Sequence, residues 1–353
     1  MHGRRVVLVA VLLCTALACV AAACGQSEQV KAVAPSVEAG PLPFMIGLGN
    51  FSGASFNDGL AFLNIAVFSD AKLSSIGAVL RPDGTWVELP ASPLGLTGGM
   101  RLGATEDGHL LLAANDCSDA CSTGLLRFYE LSSDGADWVE VGGSVKLTGG
   151  ETGISDIAGS GGTVFATEFG NYTLVGDEIV NVPFTPDRAL GSSAVCSSDA
   201  YMFAIQSTAQ GLDKPIAGPI QETLGSAWTM KRSSWEWTPA ALPPDRPDVV
   251  GRGVCTPTGV IFLAGGVEYD YSFDDATWTT VDTGTEWSIF GAGHASATGS
   301  DGELYAVLDS GTVGIRRSPG RWEDTGVAAD AVYRLGDGLV GMQRGAALPV
   351  TLP

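Results

Sequence analysis

Ser300-Asp301-Gly302-Glu303-Leu304-Tyr305-Ala306-Val307-Leu308 joins a tight turn to a short apolar run, and that pairing decides how the chain is read. Asp-Gly supplies the turn chemistry, because Gly reaches the left-handed backbone without steric cost. The run Leu304-Tyr305-Ala306-Val307-Leu308 shows no polar alternation, which predicts a strand covered on both faces. Six related phrases precede or follow it: NDGLAFLNIA from Asn57, EDGHLLLAA from Glu106, SGGTVFATE from Ser160, SDAYMFAI from Ser198, PTGVIFLAG from Pro257 and GDGLVGM from Gly336. Their third letters fall at Gly59, Gly108, Gly162, Ala200, Gly259, Gly302 and Gly338, so six intervals cover 279 residues, about 46.5 each.

A repeat of this period is the mark of a propeller blade, and it makes residues 44–353 one closed body rather than two ordinary domains. Forty-eight glycines and only 16% charged residues suit many tight turns between short strands. A second marker runs in step with the first. Trp86, Trp138, Ile179, Trp235, Trp278 and Trp322 each open a short strand, and Pro90, Gly142, Pro183, Pro239, Asp282 and Gly326 stand four residues later as strand-stoppers. Each unit therefore reads as an inner strand A before the turn, B after it, C, and an outer strand D at the marker. From turn to marker the tightest unit needs 17 residues, whereas 15 follow Gly338. The last unit thus lacks its fourth strand, and Pro43-Phe44-Met45-Ile46-Gly47-Leu48 is the candidate to supply it. The expectation is an all-β, seven-bladed propeller of four-stranded antiparallel blades closed by an N-terminal strand. Six blades with an odd hairpin is the alternative.

Residues 1–23 read as a signal peptide: Arg4 and Arg5 precede an apolar stretch from Val6 to Val20, and Ala21-Ala22-Ala23-Cys24 follows. The arrangement resembles a bacterial lipoprotein signal, which implies lipidation of Cys24, a tether over residues 24–43 and attachment to the bacterial cell membrane through lipid alone. Ordinary cleavage and secretion is the other outcome. Either way the chain is exported. Four cysteines then remain in the body, an even number suited to an oxidising compartment. Cys117 and Cys121 flank the loop NDCSDACSTG and are expected to staple it. Cys196 and Cys255 occupy matching places in neighbouring repeats, where they form a bridge between blades or two buried thiols.

Charge narrows the partners. The whole chain carries 39 acidic against 19 basic residues, a formal −20, which argues against nucleic acid and anionic lipid head groups. A monomer is expected, and a large negative charge keeps such a body soluble. No G-x-S-x-G, H-E-x-x-H or phosphate-loop pattern is present. His109 and His294 are the two histidines outside the signal peptide, and His109 heads a strand where a structural role is the default.

Insertions between B and C in the second unit, Asn115–Gly124, and the fourth, about 208–225, share one face with the D to A connections, and loops on a rigid scaffold are where binding concentrates. The fourth unit gathers Trp228, Trp235 and Trp237 near Lys231 and Arg232, of which Trp228, Lys231 and Arg232 are candidate ligand contacts. Trp235 and Trp237 read as core. In the fifth unit Glu268, Tyr269, Asp270, Tyr271, Asp274 and Asp275 offer paired carboxylates for acid/base chemistry, with Tyr269 and Asp270 as candidates. The period-two spacing of Glu268 and Asp270 reads first as a solvated strand face. Asp116 and Asp119 in the stapled loop make an incomplete shell for Ca²⁺, and no other cofactor is expected.

Ser132-Ser133-Asp134-Gly135-Ala136-Asp137-Trp138 resembles the Asp-box of sialidase-type propellers, and Pro82-Asp83-Gly84-Thr85-Trp86 is a reduced version. Kelch-type propellers are comparably similar. Both likenesses imply a fold and carry no catalytic residue across, because the arginines that sialidases need have no match here. The reading favoured is a lipid-anchored extracytoplasmic propeller binding a protein, peptide or glycan through its loop face. An exported glycoside hydrolase or lyase and an architectural subunit of an envelope assembly are the alternatives.

Overall fold

A computed structural model describes residues 50–67, 73–93, 99–118, 123–148, 154–157, 161–167, 170–186, 193–209, 222–244, 253–289, 296–299, 302–343 and 348–353. The chain is an all-β propeller. The first blade holds β1 (Asn50–Phe56), β2 (Gly59–Val67), β3 (Leu73–Leu80) and β4 (Trp86–Glu88). The second holds β5 (Met100–Ala104), β6 (Leu110–Ser118), β7 (Thr123–Leu131) and β8 (Trp138–Thr148). The third is built from β9 (Ser155–Ile157), β10 (Val164–Ala166), β11 (Asn171–Val175) and β12 (Glu178–Val182). In the fourth come β13 (Ser193–Ser197), β14 (Tyr201–Ala209), β15 (Glu222–Lys231) and β16 (Glu236–Ala240). β17 (Val254–Cys255), β18 (Gly259–Ala264), β19 (Val267–Ser272) and β20 (Thr277–Asp282) make the fifth. The sixth contains β21 (Ser296–Thr298), β22 (Leu304–Val307), β23 (Thr312–Ser318) and β24 (Arg321–Ala328). The last repeat gives a three-stranded sheet of β25 (Ala331–Leu335), β26 (Gly338–Gln343) and β27 (Leu348–Thr351).

The expectation of seven four-stranded blades is therefore corrected. Among the described residues six blades are complete, as the six-blade alternative has it, and the last repeat contributes three strands rather than a hairpin. The proposed closing strand, Pro43–Leu48, and the anchor at Cys24 lie outside the described residues. The last sheet packs on the first blade: Phe62 meets Tyr333 edge-on at 5.5 Å, amid buried Leu60, Leu80, Leu335 and Met342. Ser55 Oγ accepts the Arg334 amide at 3.0 Å across the same junction.

Strands that follow the recurring turn are buried on both faces, as their unbroken apolar character predicts; Leu110, Leu111, Leu112, Ala113 and Ala114 show almost no exposed surface. An apolar seam separates each blade from the next. Between the fourth and fifth blades, Phe203, Phe262, Tyr271 and Trp278 interlock with ring centroids 5.0–6.0 Å apart. Each such ring contributes about 2–3 kcal/mol by leaving water. The glycine of the turn has a packing reason as well as a conformational one. At Gly108, φ is +81°, and a Cβ would run into the side-chain amide of Asn57, whose backbone N–H donates to the Gly108 carbonyl at 2.8 Å. Neighbouring turns dock there.

The tryptophan marker has a function that its position explains. Trp138 Nε1 donates to Pro90 O at 3.1 Å, Trp237 to Pro183 O at 2.7 Å and Trp278 to Ala241 O at 2.8 Å, each reaching the chain end of the preceding blade's outer strand. Trp322 donates instead to Glu268 Oε2 at 2.6 Å. In the fourth blade the marker is thus Trp237, not Trp235. Trp235 sits in the C–D turn at φ +55°, two residues before Trp237, where the first and sixth blades place Gly84 and Gly320 and the fifth places Ala276 at φ +52°. Ala276→Gly is expected to raise stability by about 0.5–1 kcal/mol, because the relief of left-handed strain outweighs the extra freedom of glycine in the unfolded chain. A thermal midpoint about 1 °C higher would show it, and a lower one would count against strain at this turn.

Cys196 and Cys255 form a disulfide with Cα atoms 5.4 Å apart, joining β13 to β17 across two blades. Cys121 lies outside the described residues, while Cys117 stands on β6 with its backbone opposite Gly124. The described residues of the second-blade insertion, Asn115–Ser118 and Thr123–Gly124, extend the β6–β7 hairpin.

Candidate functional site

Antiparallel order places the A–B and C–D turns on one face of the ring and the B–C and D–A connections on the other. This geometry divides the fourth-blade candidates. Trp228 lies in β15 opposite Ala204 of β14 and Pro239 of β16, level with the D–A end of that outer strand. Arg232 follows the other end of the strand, four residues and roughly 13 Å away along extended chain. Arg232 is 5% exposed and donates to Gly162 O at 2.9 Å, Ser197 Oγ at 3.3 Å, Ser198 O at 3.4 Å and Glu106 Oε1 at 3.4 Å. It gathers the A–B turns of three blades and stacks over Trp235 at 5.6 Å. Lys231 is exposed on that same face, its ammonium 6.0 Å from the Tyr201 ring, which stacks on Phe273 at 4.5 Å. Among the described residues, no single cleft unites Trp228 with Arg232.

Trp228 lines an open pocket of about 540 Å³ with Gly225, Ser226, Ala227, Pro239, Ala240, Leu242, Pro243 and Pro244. The volume falls within the usual span for ligand sites. Its ring is half-buried, and Nε1 donates to Ser226 Oγ at 3.2 Å, which fixes the indole plane and leaves the π face as the surface on offer. None of the lining residues is charged. The far wall is held from outside, since the Ala241 carbonyl accepts the Trp278 indole of the next blade. Sequence reasoning found Trp228 and missed this wall. Its signal was the run Pro239-Ala240-Ala241-Leu242-Pro243-Pro244, whose paired prolines stop β16 and turn the chain away.

The fifth-blade candidates are placed otherwise than expected. Glu268 is 1% exposed, so a solvated strand face is ruled out for it. Its Oε1 accepts Arg316 Nε at 3.1 Å and Nη2 at 2.7 Å, its Oε2 accepts Trp322 Nε1, and Asp270 Oδ2 accepts Arg316 Nη2 at 2.9 Å. Burial pushes the Asp270 carboxyl above the usual carboxylate range, with the Arg316 guanidinium pulling the other way. Two carboxylates do lie side by side, but both are spent on an arginine that joins the fifth blade to the sixth. Tyr269 is buried in the seam with Phe262 and Cys255, so its ring packs against neighbours rather than meeting a ligand.

Asp116 stands on β6 opposite Leu125, and Asp119 lies outside the described residues. Among the described residues, no cluster of three or more His, Cys, Asp or Glu is placed to hold a metal. His109 is largely exposed and pairs through Nδ1 with Glu130 Oε1 at 2.6 Å. The Asp-box-like segment closes on itself: Asp134 Oδ1 accepts Ser132 Oγ at 2.7 Å and the Ala136 amide at 3.1 Å, bonds that hold its carboxyl below the usual range. Asp83 does the same with the hydroxyl and amide of Thr85. These turns finish hairpins.

The chain matches no protein-family model, and no curated protein matches it. Solved structures share its fold. The structure of YCF48 bound to D1 peptide aligns over 90% of this chain and 93% of its own at 15% identity, with a TM-score of 0.52. An α-L-arabinanase from Penicillium chrysogenum complexed with arabinobiose covers 90% and 96% at 13% identity and a TM-score of 0.43. A Synechocystis apocarotenoid oxygenase variant covers 82% and 75% at 12% identity and 0.42.

Proposed function

We propose that the protein is a lipid-anchored, extracytoplasmic propeller that holds a protein, peptide or glycan ligand on the face built from its B–C and D–A connections. The fixed, half-buried indole of Trp228 in an open, uncharged pocket on that face carries the reading. Aromatic platforms of this kind bind through area and stacking rather than charge. Export is supported by the signal-like residues 1–23 and by the Cys196–Cys255 disulfide, a bond that persists in oxidising compartments. Anchoring rests on Cys24 behind three alanines. The YCF48 structure, of like fold, holds a peptide, which makes ligand capture a precedent for the architecture.

Two arms test this. Cys24→Ala expressed in bacteria is expected to lose palmitate labelling and leave the membrane fraction; retention of both would remove the anchor from the proposal. Trp228→Ala, screened beside the parent against immobilised peptides and neutral oligosaccharides, is expected to weaken retention about tenfold, the order expected when one aromatic anchor is truncated. Equal retention by both proteins would move the site elsewhere.

A further inference from the structure

The outer edge of β15 ends its pairing early. Along the inner side, β14 accompanies β15 to its first residue, with Ala209 opposite Glu222. On the outer side, pairing with β16 stops at Ala227 opposite Ala240. No strand among the described residues covers that side from Glu222 to Gly225. The register shows why the protein's own chain does not continue there. Gln206 pairs with Ser226 and Ser207 with Leu224, so Gly225 is the extra residue of a β-bulge that bends the strand away from β16. Opposite it, Leu242-Pro243-Pro244 leave the sheet, and the two prolines have no N–H to give a ladder.

The result is a wedge of about 540 Å³ with a strand edge along one wall, the Ala240–Pro244 segment along the other and Trp228 among its lining residues. The wedge is preformed. Trp278 pins the Ala241 carbonyl, and Ser226 pins the Trp228 indole. Gly225 is exposed and has no side chain to keep another backbone away.

We propose that this edge receives an extended peptide segment of a partner protein, which adds as a short strand beside Glu222–Gly225 and lays a small apolar side chain on Trp228. The proposal rests on the ligand-binding reading of this face and specifies its ligand. Main-chain hydrogen bonds supply the affinity in this mode, and pockets for alternate side chains supply the choice of sequence. Two observations define the peptide. The lining carries no charge, so the side chain that enters is uncharged. The protein carries a formal −20, so the flanking residues that complement it are neutral or basic.

A phage-displayed library of short random peptides, selected on the intact protein, tests this directly and needs no identified partner. Expected are neutral to basic peptides with alternating apolar residues. A synthetic copy of one should protect the Gly225 amide region from hydrogen exchange and lose about tenfold or more in affinity when alternate backbone amides are N-methylated, as removal of one or two hydrogen bonds implies. Trp228→Ala should weaken the same peptide about tenfold. An unchanged thermal midpoint would establish that this variant is folded. Absence of enriched peptides, or binders indifferent to N-methylation at every position, overturns strand addition. If neutral oligosaccharides bind with Trp228 dependence while peptides do not, strand addition falls and ligand binding on this face stands. If neither class binds, both fall.

Discussion

Glu268→Ala is expected to cost about 4 kcal/mol and lower the thermal midpoint by about 6 °C for a ring of this size. The carboxylate has no exposed side-chain surface, and it satisfies three donors from the sixth blade. Its removal strands an arginine only 15% exposed, with Asp270 as the remaining carboxylate, and leaves the Trp322 indole N–H buried without an acceptor. Penalties of this kind come from the orphaned partners more than from the lost attraction. A double-mutant cycle separates the two: Glu268→Ala with Arg316→Ala should cost clearly less than the sum of the single changes. Asp270→Asn is the control. Its carboxylate is partly exposed, and burial already opposes its ionisation, so the amide should cost less than about 1 kcal/mol. A Glu268→Ala protein that melts with the parent would show that this junction does not need the buried ion pair.

Removal of the interblade disulfide by the paired change Cys196→Ala and Cys255→Ala is expected to cost about 4 kcal/mol, the chain-entropy value for a loop closed over a separation of 59 residues. Alanine is the apt replacement because both sulfurs sit among Phe203, Phe262 and Val260, where a serine hydroxyl would be buried without a partner. The bond works chiefly by restricting the unfolded chain, so the folded fourth and fifth blades should keep their spectra. Reductant provides the internal check. It should abolish the difference in midpoint between parent and paired variant, because any effect through Cys117 and Cys121 is common to both. A variant as stable as the oxidised parent would mean that the aromatic seam alone holds the two blades.

The repeat was legible because a blade buries its second strand on both faces, and that need writes an unbroken apolar run behind a turn every 46 or so residues. The outer-strand marker was legible except in the fourth blade. There two tryptophans stand two residues apart, and the turn position that glycine marks elsewhere is filled by Trp235 itself, so register could not be told from spacing. The buried carboxylate was hidden for a different reason. Glu268 and Asp270 alternate as solvated residues do, and their partner Arg316 lies 48 and 46 residues on, in a strand whose alignment with theirs is fixed only by how two blades pack. Trp228 stood out as an aromatic beside an insertion, but the pocket around it is made by where β16 stops, a fact of pairing rather than composition.

The indole bonds also set a grammar for the order of blades. Three of them, from Trp138, Trp237 and Trp278, end on main-chain carbonyls, groups that every residue type supplies. A blade carrying such a tryptophan can follow any predecessor whose outer strand ends in the right place, whatever its sequence there. Trp322 instead requires the carboxylate of Glu268. In their outer-strand bonds the fifth and sixth blades are therefore a fixed pair, whereas the couplings made by Trp138, Trp237 and Trp278 place no demand on the side chain they reach; at those junctions sequence dependence comes from elsewhere, as from the Cys196–Cys255 disulfide between the fourth and fifth blades.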